Sequence, residues 1–191
     1  MSLPVKKGAV YDDLRQLPPN MTGEIIDGEL HAFPRPHYRH GNIESILSGE
    51  LVPPYRFGRG GGPGGWIILV EPEVMLGENL VVPDLAGWKK ERLPKLPKKN
   101  WTTVPPDWVC EVLSPNTRGY DRIKKMPVYG RFEVQYAWLL DPVDRTLEVY
   151  HLERGRWVAV GLYGENDRVR AEPFTEVEIN LGDMWLEEED I

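Results

Sequence analysis

The sequence carries a single cysteine, Cys110, in 191 residues. A lone thiol closes no disulfide within the chain, so the fold has to rest on a packed core, and the usage fits a reducing compartment. The N-terminus has no apolar run of signal-peptide length, and no stretch reaches the roughly 20 apolar residues needed to span a bilayer. A soluble, cytoplasmic protein without membrane contact is expected. A basic excess is also lacking. Net charge is −7, which on its face argues against a polyanionic partner. The acid is unevenly spread, however. Residues 163–191 hold ten carboxylates against Arg168 and Arg170, a local charge of −8, and leave +1 on the first 162 residues. The body of the chain is free to present a basic surface.

Against these absences stand 18 prolines, 19 glycines and seven tryptophans. So many turn formers favour short strands over long helices, and the tryptophans supply much of a core or a binding face. The length suits one domain over residues 1–191, with residues 1–8 a loose tail and residues 186–191 an acidic one. Ala9 to Leu17 predicts a short helix, stopped by Pro18 and Pro19. Asp27-Gly28 between two strand-like runs predicts a tight hairpin, with Glu24 and Glu29 on its solvent side. A helix is expected over Gly41 to Leu51, ended by Pro53 and Pro54. The glycine-rich segment Gly58–Gly65 ends at Trp66, without the Lys-Ser/Thr pair of a phosphate-binding loop, and reads as a flexible loop. Trp66 to Leu76 and Leu80 to Trp88 form a hairpin pattern, with Pro72 and Pro83 marking irregularities. Later strands are expected at Val134–Leu140, Arg145–Leu152, Arg156–Tyr163 and Val177–Leu181.

Two of the strand-like stretches carry an acid in apolar company. In Trp108–Leu113, alternation puts Val109, Glu111 and Leu113 on one face and Trp108, Cys110 and Val112 on the other. In the earlier stretch Leu80, Val82, Asp84 and Ala86 share a face. Burying an isolated carboxylate costs several kcal/mol unless a cation or donors compensate it. A cation shared by Asp84 and Glu111 accounts for both. The alternatives are a turn role for Asp84, fixed by neighbouring N–H groups, and an arginine partner for Glu111. After Glu111, Ser114-Pro-Asn-Thr117 makes a turn in which Thr117 caps a helix. That helix aligns Asp121, Lys125 and Tyr129 on one face, and Lys124 points about 100° away. Pro127 removes one of its hydrogen bonds and bears on where Lys125 points.

Pro83-Asp84, Glu111-Val-Leu-Ser-Pro115, Asp121 with Lys125 and Tyr129, and Asp141-Pro142 together resemble the Uma-type restriction endonucleases of the PD-(D/E)XK nuclease superfamily. The resemblance extends from Glu24–Leu30 to Val177–Leu181. It implies an α+β fold with a restriction endonuclease-like core, a mixed β-sheet flanked by helices with additional β-hairpins. It also implies a divalent-metal-dependent DNA endonuclease, dimeric, using Mg2+ or Mn2+. Asp84 and Glu111 would be metal ligands, with a backbone carbonyl from Val112, and Lys125 the catalytic ammonium. Leu113 stands where the superfamily places its lysine, and the Uma-type family carries that lysine on the following helix. Glu24 is a possible extra acid, Tyr129 packs against or positions Lys125, and His40 matches a histidine common in the family. A lone histidine before a helix is more often structural.

Six basic residues, Lys89, Lys90, Arg92, Lys95, Lys98 and Lys99, fall between residues 89 and 99 with one acid, Glu91. Pro94 and Pro97 make this a loop, either solvated or in contact with a DNA backbone. Two functional readings are open: the endonuclease, and a module that keeps the fold with a degenerate site and binds nucleic acid or a protein.

Overall fold

The computed structural model describes residues 6–34 and 38–186. The expected tails fall largely outside that range. Within it the backbone is already paired at β1 (Lys6–Lys7), which lies against β3. One helical turn follows, α1 (Tyr11–Leu14), shorter than expected. Tyr11, Leu14 and Leu17 nevertheless pack as one stripe beside Ile25, Leu30 and Leu80. Strands β2 (Met21–Ile26) and β3 (Glu29–Pro34) meet at Asp27-Gly28, where φ is +50° and +75°. Positive φ at both positions is what a two-residue hairpin requires. Helix α2 (Tyr38–Leu51) runs into a wide π turn over Val52–Arg56 that contains Pro53 and Pro54. The prolines are tolerated because they enter at the first positions of that turn, where a missing N–H costs least.

The next four strands are β4 (Trp66–Val70), β5 (Glu73–Leu76), β6 (Asn79–Val81) and β7 (Leu85–Lys89). They form the expected hairpin, but both arms are broken. β5 pairs with β6 in one sheet, and β4 pairs with β7 in another. The breaks fall at Pro72 and Pro83, which cannot donate to a ladder. Asp84 therefore lies in the bend between β6 and β7 and not within a strand, which corrects the alternation expected for Leu80 to Ala86.

β8 (Trp101–Thr102) closes the first sheet, whose order is β1-β3-β2-β6-β5-β8. β9 (Trp108–Val112) lies at the centre of the second. It is joined by a helical stretch to β10 (Tyr136–Asp141), which runs parallel to it with Glu111 opposite Leu139. A hairpin of β11 (Thr146–Glu153) and β12 (Arg156–Gly164) completes the order β12-β11-β10-β9-β7-β4. A small ribbon of β13 (Arg168–Val169) and β14 (Ile179–Asn180) follows. The last strand is shorter than expected, because Leu181–Met184 turns into a 3-10 helix with Gly182 N–H bonded to the Asn180 side chain. The fold is α+β, with a mixed sheet at its centre and few helices. Among the described residues no helix is long and apolar enough to cross a membrane.

The alternation along β9 separates the core into two layers. Trp108, Cys110 and Val112 join the cluster that contains Leu47, Leu51, Trp138 and Phe174. Val109 and Leu113 join the opposite one, with Val128, Tyr129 and Leu139. Glu111 shares that second side, so its carboxylate enters an apolar layer and has to find partners there.

Candidate active site

The helical stretch after β9 supplies those partners. It consists of α3 (Arg118–Tyr120), a π turn over Asp121–Lys125, and α4 (Met126–Arg131). Pro127 has no N–H to give the Ile123 carbonyl, and the ladder widens just before it. At its start the Thr117 side chain does not cap. Ser114 Oγ accepts the Thr117 N–H at 3.2 Å instead, and lies 2.9 Å from Thr117 Oγ1. Asp121, Lys125 and Tyr129 form one buried face, as their spacing predicts.

Glu111 is 1% exposed. Its Oε2 accepts from Lys125 Nζ at 2.7 Å, and its Oε1 accepts from the Tyr129 hydroxyl at 2.5 Å. The same ammonium donates to the Val82 carbonyl at 3.1 Å and lies 3.1 Å from Glu24 Oε1 and 4.0 Å from Asp121 Oδ1. Glu24 is thus not a solvent-side strand residue. It is 5% exposed, since the stretch carrying Lys125 lies over its face of β2, and it also accepts the Val82 N–H at 2.6 Å. Lys124 stands apart from this group; its charge bears on His31, whose pKa it helps burial to lower.

Asp84 faces both ways. Its Oδ2 accepts the Val112 N–H at 2.6 Å, which ties the bend to the end of β9. Its Oδ1 lies 2.9 Å from His40 Nε2, and the same nitrogen lies 3.6 Å from Glu44 Oε1. The ligand atoms of His40, Glu44 and Asp84 all fall within 4.8 Å of one another. His40 Nε2 and Glu44 Oε1 are shielded from solvent, yet neither makes a well-directed hydrogen bond. Close, buried and poorly directed polar atoms are what a coordination site presents when its ligands are aimed at a common point rather than at each other. His40 is thus not isolated before its helix but stands beside Asp84 and Glu44. Glu44 was not expected at all. It sits one turn after His40, on the stripe that buries Leu47 and Leu51, so an acid on an apolar stripe was the available signal.

Asp84 and Glu111 share one cavity of about 800 Å³, also lined by Phe33, His40, Tyr120 and Lys125. Each has its own cationic neighbour, His40 for Asp84 and Lys125 for Glu111. The group converging on one point is His40–Glu44–Asp84. Val112 enters through its N–H.

Five carboxylates, from Glu24, Glu44, Asp84, Glu111 and Asp121, surround the two cationic groups Lys125 and His40. The electrostatics reflect that excess. Burial, only partly offset by Lys125, pushes the Glu111 carboxyl well above its usual range, helped by the charges of Asp84, Asp121 and Glu24. Burial likewise raises Asp121 to about 7, against Lys125 and with Asp84 and Glu24. Burial disfavours the charged form of His40, but the approach of Asp84 and Glu44 overcomes it and raises the imidazole to about 10. Lys125 is raised too, since four carboxylates outweigh its desolvation.

The basic loop lies elsewhere. Lys89 ends β7 and Asp84 precedes it, so loop and acid sit at opposite ends of one strand, roughly 16 Å apart. Lys90 Nζ donates to the Arg56 carbonyl at 3.0 Å, and Arg92 pairs with Asp107 at 2.7 Å. Lys99 lies over the Trp101 ring at 5.2 Å. Lys89, Lys95 and Lys98 are exposed, and none of the six lines the cavity.

A family model described as Uma2, "Putative restriction endonuclease", matches residues 11–182. Among solved structures, the crystal structure of "a putative nuclease belonging to DUF820" from Anabaena variabilis superposes with a TM-score of 0.73 at 23% identity. The match covers 91% of this chain and 96% of that one, and at this identity it is a likeness of fold. No curated protein matches.

Proposed function

The chain belongs to the Uma2 family, described as "Putative restriction endonuclease", and from that premise we propose a divalent-metal-dependent nuclease that hydrolyses DNA phosphodiester bonds with a site of PD-(D/E)XK type. The observation that carries this reading is the convergence of His40, Glu44 and Asp84 beside the Glu111–Lys125–Tyr129 array, with His40, Asp84, Glu111 and Lys125 lining one cavity. One nitrogen and two carboxylates make an acceptable first shell for a divalent ion that keeps several waters, and the Val112 carbonyl is a further candidate ligand. The imidazole shifts preference from Mg2+ towards Mn2+, since hard oxygen donors suit Mg2+ best. Such an ion, when bound, supplies Lewis-acid polarisation of the phosphoryl group and a more acidic water.

The chain's own residues do the rest. Asp84 is oriented by the Val112 N–H and His40 by its place on α2. Lys125 contributes fixed positive charge to a developing phosphorane. It donates to Glu111 and to the Val82 carbonyl, lies 3.1 Å from Glu24, and its pKa is raised, so it acts through charge and not by taking a proton from water. Glu111 and Tyr129 hold that ammonium in place. A homodimer would present one such site to each strand of a duplex.

A second reading draws on the pairing of each central acid with a protein cation: a nuclease-fold module with a degenerate site that binds nucleic acid or a protein. One experiment separates the two. Supercoiled plasmid is incubated with the protein and Mg2+ or Mn2+, beside Asp84→Ala and Glu111→Ala variants. Nicking lost in both variants supports the nuclease. Nicking that survives both points to another site, and no nicking together with no Mn2+ binding by calorimetry supports the degenerate module.

A further inference from the structure

The Lys125 ammonium occupies a place built like the shell of an ion. It has three N–H donors, and three oxygens lie within 3.1 Å: Glu111 Oε2 at 2.7 Å, Glu24 Oε1 at 3.1 Å and the Val82 carbonyl at 3.1 Å. Asp121 Oδ1 stands beyond them at 4.0 Å. Carboxylates from separate elements plus a backbone carbonyl are the donor set that hard divalent ions take. The acids alone would not argue for a cation site; that a cation is bound among them does. The lysine side chain is 5% exposed.

This shell adjoins the His40–Glu44–Asp84 group on both sides. Val82 and Asp84 are two residues apart in one bend. Glu111 precedes Val112, whose N–H holds Asp84. Two cation positions whose ligands come from neighbouring residues are a layout that two-metal phosphoryl-transfer centres also use. Here one of them is filled by a side chain.

We propose that the Lys125 ammonium stands permanently in the second cation position, so that the protein takes up one exchangeable divalent ion, at His40–Glu44–Asp84. The inference rests on the metal-dependent reading for that first ion, and its test separates the two. Lys125→Ala leaves room for an ion and its waters among Glu24, Glu111 and Asp121. Lys125→Met removes the charge but fills much the same space.

Mn2+ binding to the full chain is followed by calorimetry and by electron paramagnetic resonance. The expected stoichiometries are one for the natural chain, two for Lys125→Ala and one for Lys125→Met. The Ala variant should also show the spin-coupled spectrum of a close pair, lost again when Glu24→Gln is added. No gain of an ion in Lys125→Ala over the natural chain, or two ions in the natural chain, overturns the proposal. If Lys125→Ala does not fold alone, its melting is followed against Mn2+ concentration: recovery of a cooperative transition supports the proposal, and no recovery overturns it. Should the natural chain bind no ion while Lys125→Ala binds one that Glu24→Gln removes, the metal-dependent nuclease reading falls and the assignment of Lys125 stands.

Discussion

The Tyr129 hydroxyl donates to Glu111 Oε1 at 2.5 Å, and among the described residues nothing else in the apolar layer around it offers that oxygen a partner. A buried carboxylate with one oxygen on a lysine and the other on a tyrosine is fully spoken for. Tyr129→Phe keeps the ring and removes the donor. It is expected to lower stability by about 1.5–3 kcal/mol, the range for a hydrogen bond to a charged group. Urea denaturation measures it, and an unchanged midpoint would show that the hydroxyl is not what satisfies Glu111.

His40 makes the metal-free protein sensitive to alkali. Its pKa rises on folding from 6.5 to about 10, so the folded state holds a proton that the unfolded chain gives up first. The stabilisation is fully present below about pH 6.5 and is lost as pH climbs through about 10. Melting temperatures in chelator are expected to fall across that window. The fall should be absent in His40→Gln.

Metal uptake should oppose the same proton. A ligand imidazole must be neutral, so Mn2+ binding at pH 7.5 is expected to release protons. Calorimetry in buffers of different ionisation enthalpy detects that release. Glu44→Gln, which removes one ligand and lessens the charge that holds the imidazole proton, should weaken Mn2+ binding by about tenfold or more. Equal affinity would place the ion away from α2.

The loop after β7 tests independently of the centre. Replacing exposed Lys95 and Lys98 with alanine is expected to flatten the salt dependence of DNA binding, by about 0.9 in log–log slope for each phosphate that is no longer neutralised. Mn2+ binding should be untouched, given the roughly 16 Å between the start of that loop and Asp84. A slope equal to that of the natural chain would make the loop a solvated surface.

Much of this arrangement was legible in one dimension. Period-two alternation put Glu111 on the side of Val109 and Leu113, and helical spacing put Asp121, Lys125 and Tyr129 on one face, because both patterns are local. The Asp27-Gly28 turn was legible for the same reason. Glu24 was not, since only the tertiary placement of Lys125 decides whether that face of β2 meets solvent. Asp84 could be found but not correctly set, because Pro83 broke the strand on which the alternation depended. His40 and Glu44 lie one helical turn apart on a stripe with Leu47 and Leu51, and Glu44 carries the same signal as Glu111, an acid in apolar company.

The creases at Pro72 and Pro83 divide each arm of one hairpin between two sheets. Glu24 and the Val82 carbonyl accordingly come from the side of the first layer, and Glu111 from the second, with Lys125 fastened between them. The ionic centre thus doubles as a clasp: neither layer can slide or peel without pulling the charged cluster apart, and whatever tightens that cluster also locks the two halves of the molecule together.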